Sequence, residues 1–339
     1  MKKSDKLKSF DPNAPANTNA GIFGLPFDEA ESDIIIYPVP WEVTVSYSAG
    51  TADGPEAIRE ASFQIDLYDA YQPGVWENGI YMVAPNPEFR ERSDKFRNIA
   101  KGIIDELSEA KQPSESLYHQ VNQQCQWMIE TVKQETTQLL NANKKVILLG
   151  GDHSTPLGYI QALAEKHQNF GILQIDAHFD LRIAFEGFTY SHASVMYNAL
   201  KTKQVTKLVQ VGIRDFCEEE VSESKNDRIS VWYDEAMKEA QYRGKTWYEI
   251  CEEIVTQLPQ KVYLSFDIDG LDPKLCPNTG TPVAGGLEYA EAIYLIKKVK
   301  ESGRIFIGAD LNEVAPGENS DWDANVAARL LFRLCHILF

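Results

Sequence analysis

Residues 172–182 read ILQIDAHFDLR, an apolar run that ends by placing Asp176, His178 and Asp180 at every second position. Along a strand, side chains two apart share a face, so three ionisable groups would converge there. A buried carboxylate keeps its charge only beside a counter-charge, and for an Asp/His/Asp trio the usual counter-charge is a metal ion. Other segments repeat the theme: Asp152 and His153 follow VILLGG, Asp267 and Asp269 close VYLSF, and Glu313 comes just after IFIGADLN. Each motif alone has an ordinary reading, since a His after paired glycines commonly caps a helix or fills a core, and D-x-D after a strand is commonly a solvated turn. Together they require more, because acid clusters gathered at one edge without a cation would repel one another.

The donors in question are His153, Asp176, His178, Asp180, Asp267 and Asp269, two imidazoles and four carboxylates. That is too many for one tetrahedral zinc. An oxygen-rich, nitrogen-poor set suits Mn²⁺ or a similar hard ion, and six donors with bridging carboxylates suit two ions. Two dications would balance four carboxylates, leaving a near-neutral cluster that a cationic substrate can approach. Two ions about 3.5–4 Å apart can acidify a water between them and generate hydroxide at neutral pH.

Elements that could position these residues are visible in the pattern. Short apolar, β-branched runs at 33–39, 145–150, 170–176, 207–213, 261–269 and 304–310 have the length and content of buried strands. Helical patterns lie between them: GPEAIREAS from Gly54, with Pro55 at a favoured first helical position, and PLGYIQALAEKH behind a capping candidate, Ser154. TWYEICEEIVTQL and LEYAEAIYLIKKVKES follow, and a last helix over 323–338 sets Val326, Leu330, Leu331, Leu334 and Leu338 on one face. Strands alternating with helices mean βαβ units and a mainly parallel sheet covered on both faces, with its ligand site at the carboxyl ends of the strands. Residues 1–30, rich in Asn, Pro and Lys near the start, read as a flexible N-terminal tail and residues 31–339 as a single domain. Residues 71–115 show no clear period and are expected to hold irregular loops.

Composition narrows the partners. With 339 residues, 43 % of them hydrophobic, the chain can bury a large core. Lys plus Arg number 33 against 50 Asp plus Glu, a net charge of −17, which argues against nucleic acid or an anionic membrane surface and is compatible with a cationic substrate. The five cysteines never form a C-x-x-C pair, as expected of reduced thiols in a cytoplasmic protein. The basic N-terminus is followed by no apolar stretch of signal-peptide type, and no run of about 18 apolar residues occurs, so a soluble, unexported chain is expected. LLGGDHS lacks the glycine and lysine spacing of a phosphate-binding loop.

LLGGDHS (148–154), DAHFD (176–180) and SFDIDGLDP (265–273) resemble the three signature segments of the ureohydrolase family, which includes arginase, agmatinase and formimidoylglutamase; TGTPVAGGL (279–287) and NEVAP (312–316) resemble it too, in the same order. The resemblance implies a three-layer α/β/α fold with a mainly parallel central sheet and a binuclear Mn²⁺ centre. By motif match, His153, Asp176, Asp180 and Asp267 would serve one ion and His178, Asp176, Asp267 and Asp269 the other. The attacking hydroxide would lie between them and hydrogen-bond to Asp180. His192, in YSHASVMYNAL, matches the histidine that shuttles protons at the mouth of the site; Glu313 would hold the guanidinium through paired charge-assisted hydrogen bonds, with the Thr281 hydroxyl assisting. The implied reaction is hydrolysis of a guanidino C–N bond with release of urea, by a homo-oligomer, trimer or hexamer. A small cationic guanidino or amidine compound is the expected partner, with no nucleic acid and no membrane.

Within that family the segments point in different directions. SHASVMYNAL, TGTPVAGG and PWEVTVSYSAGTADGPEAIREAS resemble the agmatinase branch. HFDLR resembles formimidoylglutamase, which releases formamide, and Arg182 stands where arginase-like chains carry an Asn, so an ω-guanidino acid whose carboxylate meets Arg182 is a further expectation. Cys217 replaces a second acid that arginases use for the α-amino group, which speaks against arginine. Deacetylase-type amidohydrolases resemble the same fold with a single zinc, but His153, Asp180 and Asp269 exceed what one ion needs. A metal-binding relative without activity would be the reading if His192 or Glu313 lay far from the metals.

Overall fold

The structure, a computed structural model, describes residues 3–337. Among them eight strands form one sheet: β1 (Ile34–Val39), β2 (Ile80–Met82), β3 (Lys145–Gly150), β4 (Phe170–Ile175), β5 (Val205–Ile213), β6 (Ile229–Tyr233), β7 (Lys261–Asp267) and β8 (Ile305–Asn312). Their spatial order is β2-β1-β3-β8-β7-β4-β5-β6, and every neighbouring pair is parallel.

Side-chain alternation on these strands divides the core in two. Ile147 and Leu149 of β3, Leu173 and Ile175 of β4, and Val262, Leu264 and Phe266 of β7 pack on one face with the helices Trp247–Thr256, Tyr289–Glu301 and Trp322–Ile337. Val146 and Leu148, Phe170 and Ile172, and Tyr263 pack on the other with Glu115–Asn141 and Leu157–Lys166. Both faces are covered, so the layers are α/β/α and the strands read as continuous apolar runs.

Several expectations are revised. Residues 71–115 contain β2 and the whole of a 22-residue helix, Pro87–Ser108, opened by Asn86, whose side chain accepts from the Glu88 N–H. The tail expected to reach residue 30 takes a defined course: Lys3–Ser9 is helical, and Ile22, Phe23, Leu25 and Phe27 are buried because they cover the sheet beside the last helix, with the Phe23 ring 5.1 Å from Phe332. Ser154 is not the cap of its helix, which starts at Leu157; its hydroxyl donates to Asp152 instead. Leu338 lies outside the described residues. No helix among the described residues is long and apolar enough to cross a membrane.

Candidate metal centre and active site

One row of the sheet prepares the site. On the face of Phe170 and Ile172, β4 continues with Gln174 and, one residue past its end, Asp176; on β7 the same parity gives Tyr263, Ser265 and Asp267; on β8 it gives Asp310 and Asn312. All of these except Tyr263 are polar, and all are buried. Buried polar groups must find partners, and these find one another. Gln210 Nε2 donates to Gln174 Oε1 at 2.6 Å, and Gln174 Nε2 donates to Asp176 Oδ2 at 2.7 Å. Ser265 donates its hydroxyl to Asp310 Oδ1 at 3.0 Å and so accepts from His153 Nε2–H at 2.9 Å. That contact fixes the tautomer and leaves His153 Nδ1 bare, the arrangement a metal-binding imidazole needs.

Above this row the six donors meet. His153 Nδ1 lies 3.0 Å from Asp176 Oδ2, 2.9 Å from Asp180 Oδ2 and 3.2 Å from Asp267 Oδ2. His178 Nδ1 lies 3.1 Å from Asp269 Oδ2 and 3.6 Å from Asp176 Oδ1. The other oxygens are held by backbone: Asp176 Oδ1 accepts from His178 N–H at 2.7 Å, Asp267 Oδ1 from Asp269 N–H at 2.9 Å and Asp269 Oδ1 from Ala177 N–H at 3.0 Å. Asp267 and Asp269 are thus braced on one oxygen and present the second, and Asp176 is held on both.

These residues fit a pair of cations. His153 Nδ1, Asp180 Oδ2 and Asp269 Oδ2 are buried and make no hydrogen bond, although they lie at hydrogen-bonding distance from other ligand atoms. Such convergence is what atoms sharing a positive ion show. Two groups within reach of one ion emerge, His153 with Asp176 and Asp267, and Asp176 with His178 and Asp269; Asp176 belongs to both.

The local backbone departs from the extended run the spacing suggests. β4 stops at Ile175, and Asp180 adopts φ 55°, a left-handed conformation that non-glycine residues seldom take. Its carbonyl accepts from the N–H groups of both Met196 and Tyr197, which hold the turn. Convergence comes from a looped strand end. Glu313, at φ 62°, is bent in the same way just beyond β8.

The electrostatics follow from crowding. Burial pushes the Asp180 carboxyl up to about 7, with Asp176 adding to the rise. Asp267 is also raised, by burial and by Asp269 and Asp176. Burial alone would lower His153, but Asp176, Asp180 and Asp267 raise it well above the ordinary imidazole range. Glu313 is raised by burial and by Asp152. His192 goes the other way: burial, then the charge of His178 and His153, pushes it down to about 3, so the ring is neutral at pH 7.

A pocket opens over the centre, and His192, Thr281, Glu313 and Arg182 all line it. Glu313 Oε1 accepts the His153 N–H at 2.8 Å, so its floor position is tied to a ligand segment. His192 Nδ1 lies 3.3 Å from Ser191 Oγ and 3.4 Å from Thr44 Oγ1. Arg182 Nε lies 3.7 Å from Glu220 Oε2, and its guanidinium sits 4.5 Å over the Phe185 ring. Sequence reasoning missed Ser265, Asp310 and Gln174, whose only signal is a polar residue at an inward position of a buried strand. It also missed Ser46, Phe185, Asp215 and Glu220 of the rim, none of which was singled out as a site residue. Cys276 Sγ donates to the Ile268 carbonyl and is buried, a packing role.

Comparison with known proteins agrees with this geometry. The model of the arginase family matches residues 32–336. An N(1)-aminopropylagmatine ureohydrolase of Synechocystis sp. is 30% identical over 308 residues, covering 90% of this chain and 89% of that protein. An agmatinase of Bacillus anthracis is 28% identical, covering 89% of this chain and 90% of its own length. Among solved structures, the agmatine ureohydrolase of Thermoplasma volcanium superposes with a TM-score of 0.70 at 21% identity, covering 99% of this chain and 97% of that chain, and an arginase from Medicago truncatula with 0.67 at 23%, covering 91% and 88%. Matched over nearly its whole described length in sequence and in fold, this chain belongs to the arginase family, hydrolases of C–N bonds in amidines.

Proposed function

We propose that the protein is a ureohydrolase with two Mn²⁺ ions that hydrolyses a guanidino compound of the agmatine type, releasing urea and an amine. The observation that carries this reading is the convergence of two imidazole nitrogens with four carboxylates directly beneath a pocket floored by Glu313. His153, Asp176, Asp180 and Asp267 would hold one ion, and His178, Asp176, Asp267 and Asp269 the other. When bound, the ions supply the Lewis acidity that makes water nucleophilic at neutral pH.

The chain's own residues do the rest. Glu313, its Oε1 already engaged by the His153 N–H, turns its remaining acceptor capacity to the guanidinium and presents the carbon to the centre. Asp180 accepts a hydrogen bond from the attacking water. Water adds to the guanidinium carbon as one of its protons passes to the Asp180 carboxylate. The C–N bond to the alkyl chain then breaks with its electron pair leaving on nitrogen, and the departing nitrogen takes a proton while Asp180 returns its own to solvent. His192, neutral and beside the hydroxyls of Ser191 and Thr44, relays that proton from the mouth. Thr281 lines the same wall and offers a hydroxyl to the substrate.

The test is an assay of the Mn²⁺-loaded protein on agmatine, N(1)-aminopropylagmatine, arginine, 4-guanidinobutanoate, guanidine and formimidoylglutamate, with urea and formamide measured separately. Urea from agmatine or aminopropylagmatine is the expected result. Formamide alone would move the assignment to formimidoylglutamase, and no product from any of them, with metal bound, would overturn the reading.

A further inference from the structure

Arg182 sits in the pocket wall at a place where a cation could receive a substrate carboxylate, yet its charge is already committed. Its Nε lies 3.7 Å from Glu220 Oε2. Glu220 is only 3 % exposed, and a glutamate buried that far needs a counter-charge. The carboxylate is held in place from two sides, Oε1 accepting from Leu181 N–H at 3.3 Å and Oε2 from Cys217 N–H at 3.2 Å. The Arg182 guanidinium rests on the face of Phe185 at 4.5 Å, and Phe185 stands nearly perpendicular to the His192 ring with centroids 6.2 Å apart. Glu220, Arg182, Phe185 and His192 therefore form one continuous side of the pocket.

From this we infer that Glu220 is the specificity-determining residue of the pocket: by holding Arg182 against Phe185 it withholds the guanidinium from substrate carboxylates and favours guanidino compounds whose far end is an amine. The inference rests on the reading above and deepens it. Two physical arguments carry it. A substrate carboxylate reaching Arg182 would have to compete with Glu220 and would bring a second negative charge toward a buried one. The charged side chains lining the rim, Arg182, Asp215 and Glu220, sum to −1, which favours a cationic tail over an anionic one. Glu220 acts through Arg182 and is a positioning residue, remote from the reacting atoms.

The experiment compares kcat/KM for agmatine and 4-guanidinobutanoate, which are similar in length and differ in the charge of the far end. Wild-type protein is expected to favour agmatine. Glu220→Gln keeps an acceptor for the backbone N–H groups but removes the charge, and should shift the ratio at least tenfold toward 4-guanidinobutanoate, mainly through KM. Adding Arg182→Gln to that variant should abolish the shift. Should Glu220→Gln not fold, Glu220→Asp, which draws the charge back from Arg182, should move the ratio in the same direction by a smaller factor. An unchanged ratio, or a double variant that behaves like the single one, overturns the inference while leaving the ureohydrolase reading intact, as does a wild type that prefers 4-guanidinobutanoate. Should the wild type release urea from neither compound nor from any other guanidino compound of the panel above, the ureohydrolase reading is what fails. Calorimetric binding of the two compounds to the same variants then decides the role of Glu220 by the same shift or its absence.

Discussion

At the scale of the residue, one buried hydroxyl decides which nitrogen of a histidine faces the carboxylate cluster. Ser265 stands between His153 Nε2 and Asp310, and among the described residues nothing else bonds to that nitrogen so closely. Ser265→Ala should leave the fold intact and weaken Mn²⁺ binding roughly 10–100-fold, read by titration of the metal-free protein. Direct ligands and substrate holders separate in a second pair of variants: Asp269→Ala is expected to lose bound metal and activity together, whereas Glu313→Ala should keep the metal and lose turnover. Metal content measured beside activity distinguishes them. Protons and metal compete for the same carboxylates. Because Asp180 is pushed up to about 7 and Asp267 is raised as well, Mn²⁺ affinity should climb as pH rises from 6 toward 8. A pH-independent affinity across that interval would contradict the assignment of Asp180 as a ligand.

At the scale of the element, what was legible depended on burial. β3, β4, β7 and β8 are covered on both faces, so their apolar runs announced them, and the acids at their ends stood out against that background. Edge strands were silent: β2 has three residues and β6 is mostly half-buried, giving neither a long run nor a sharp alternation. Pro87–Ser108 was missed because only Phe89, Ser93, Ala100 and Ile103 of its 22 residues are buried, a stripe too narrow to show through the charges around it. The site was read nearly whole where a motif carried it and hardly at all where it did not. Asp176 and Asp267 advertise themselves, whereas Glu220 reaches the rim from a six-residue helix whose EEE stretch looks like solvated surface. The last helix offers its own test. Burial pushes His336 down to about 4 from the ordinary 6.5, its Nδ1 donating to the Phe332 carbonyl. With the folded value depressed, the unfolded chain takes the proton first, so the stability His336 contributes is complete above pH 6.5 and is lost as pH falls toward 4. His336→Leu should therefore flatten the fall of melting temperature over that range, measured by calorimetry at several pH values.

At the scale of the whole molecule, the candidate metal centre and the sheet are coupled. Both halves of the sheet deliver donors to one point, the neighbouring strands β7 and β4 supplying Asp267 and, just past the end of β4, Asp176, and the turn after β3 supplying His153. Mutual repulsion among those groups opposes folding until cations offset it, so removal of metal should lower the melting temperature and resupply of Mn²⁺ should restore it. Bound ligand at a thousandfold excess over its dissociation constant stabilises by about 4 kcal/mol per site, which sets the scale of the expected shift. A melting temperature indifferent to a chelator would mean that the cluster holds no ion.

Floor and rim are built differently. The floor stands on strand ends braced from below by Gln174, Ser265 and Asp310, where any change disturbs a chain of buried partners. The rim, from Arg182 and Phe185 to Cys217 and Glu220, hangs on the loops and the short helix beyond β4 and β5. Mutation can therefore rewrite the rim without touching the floor. A lineage built on this scaffold is free to diverge in what it recognises while inheriting its reaction unchanged, and a new diet would need only a handful of loop substitutions.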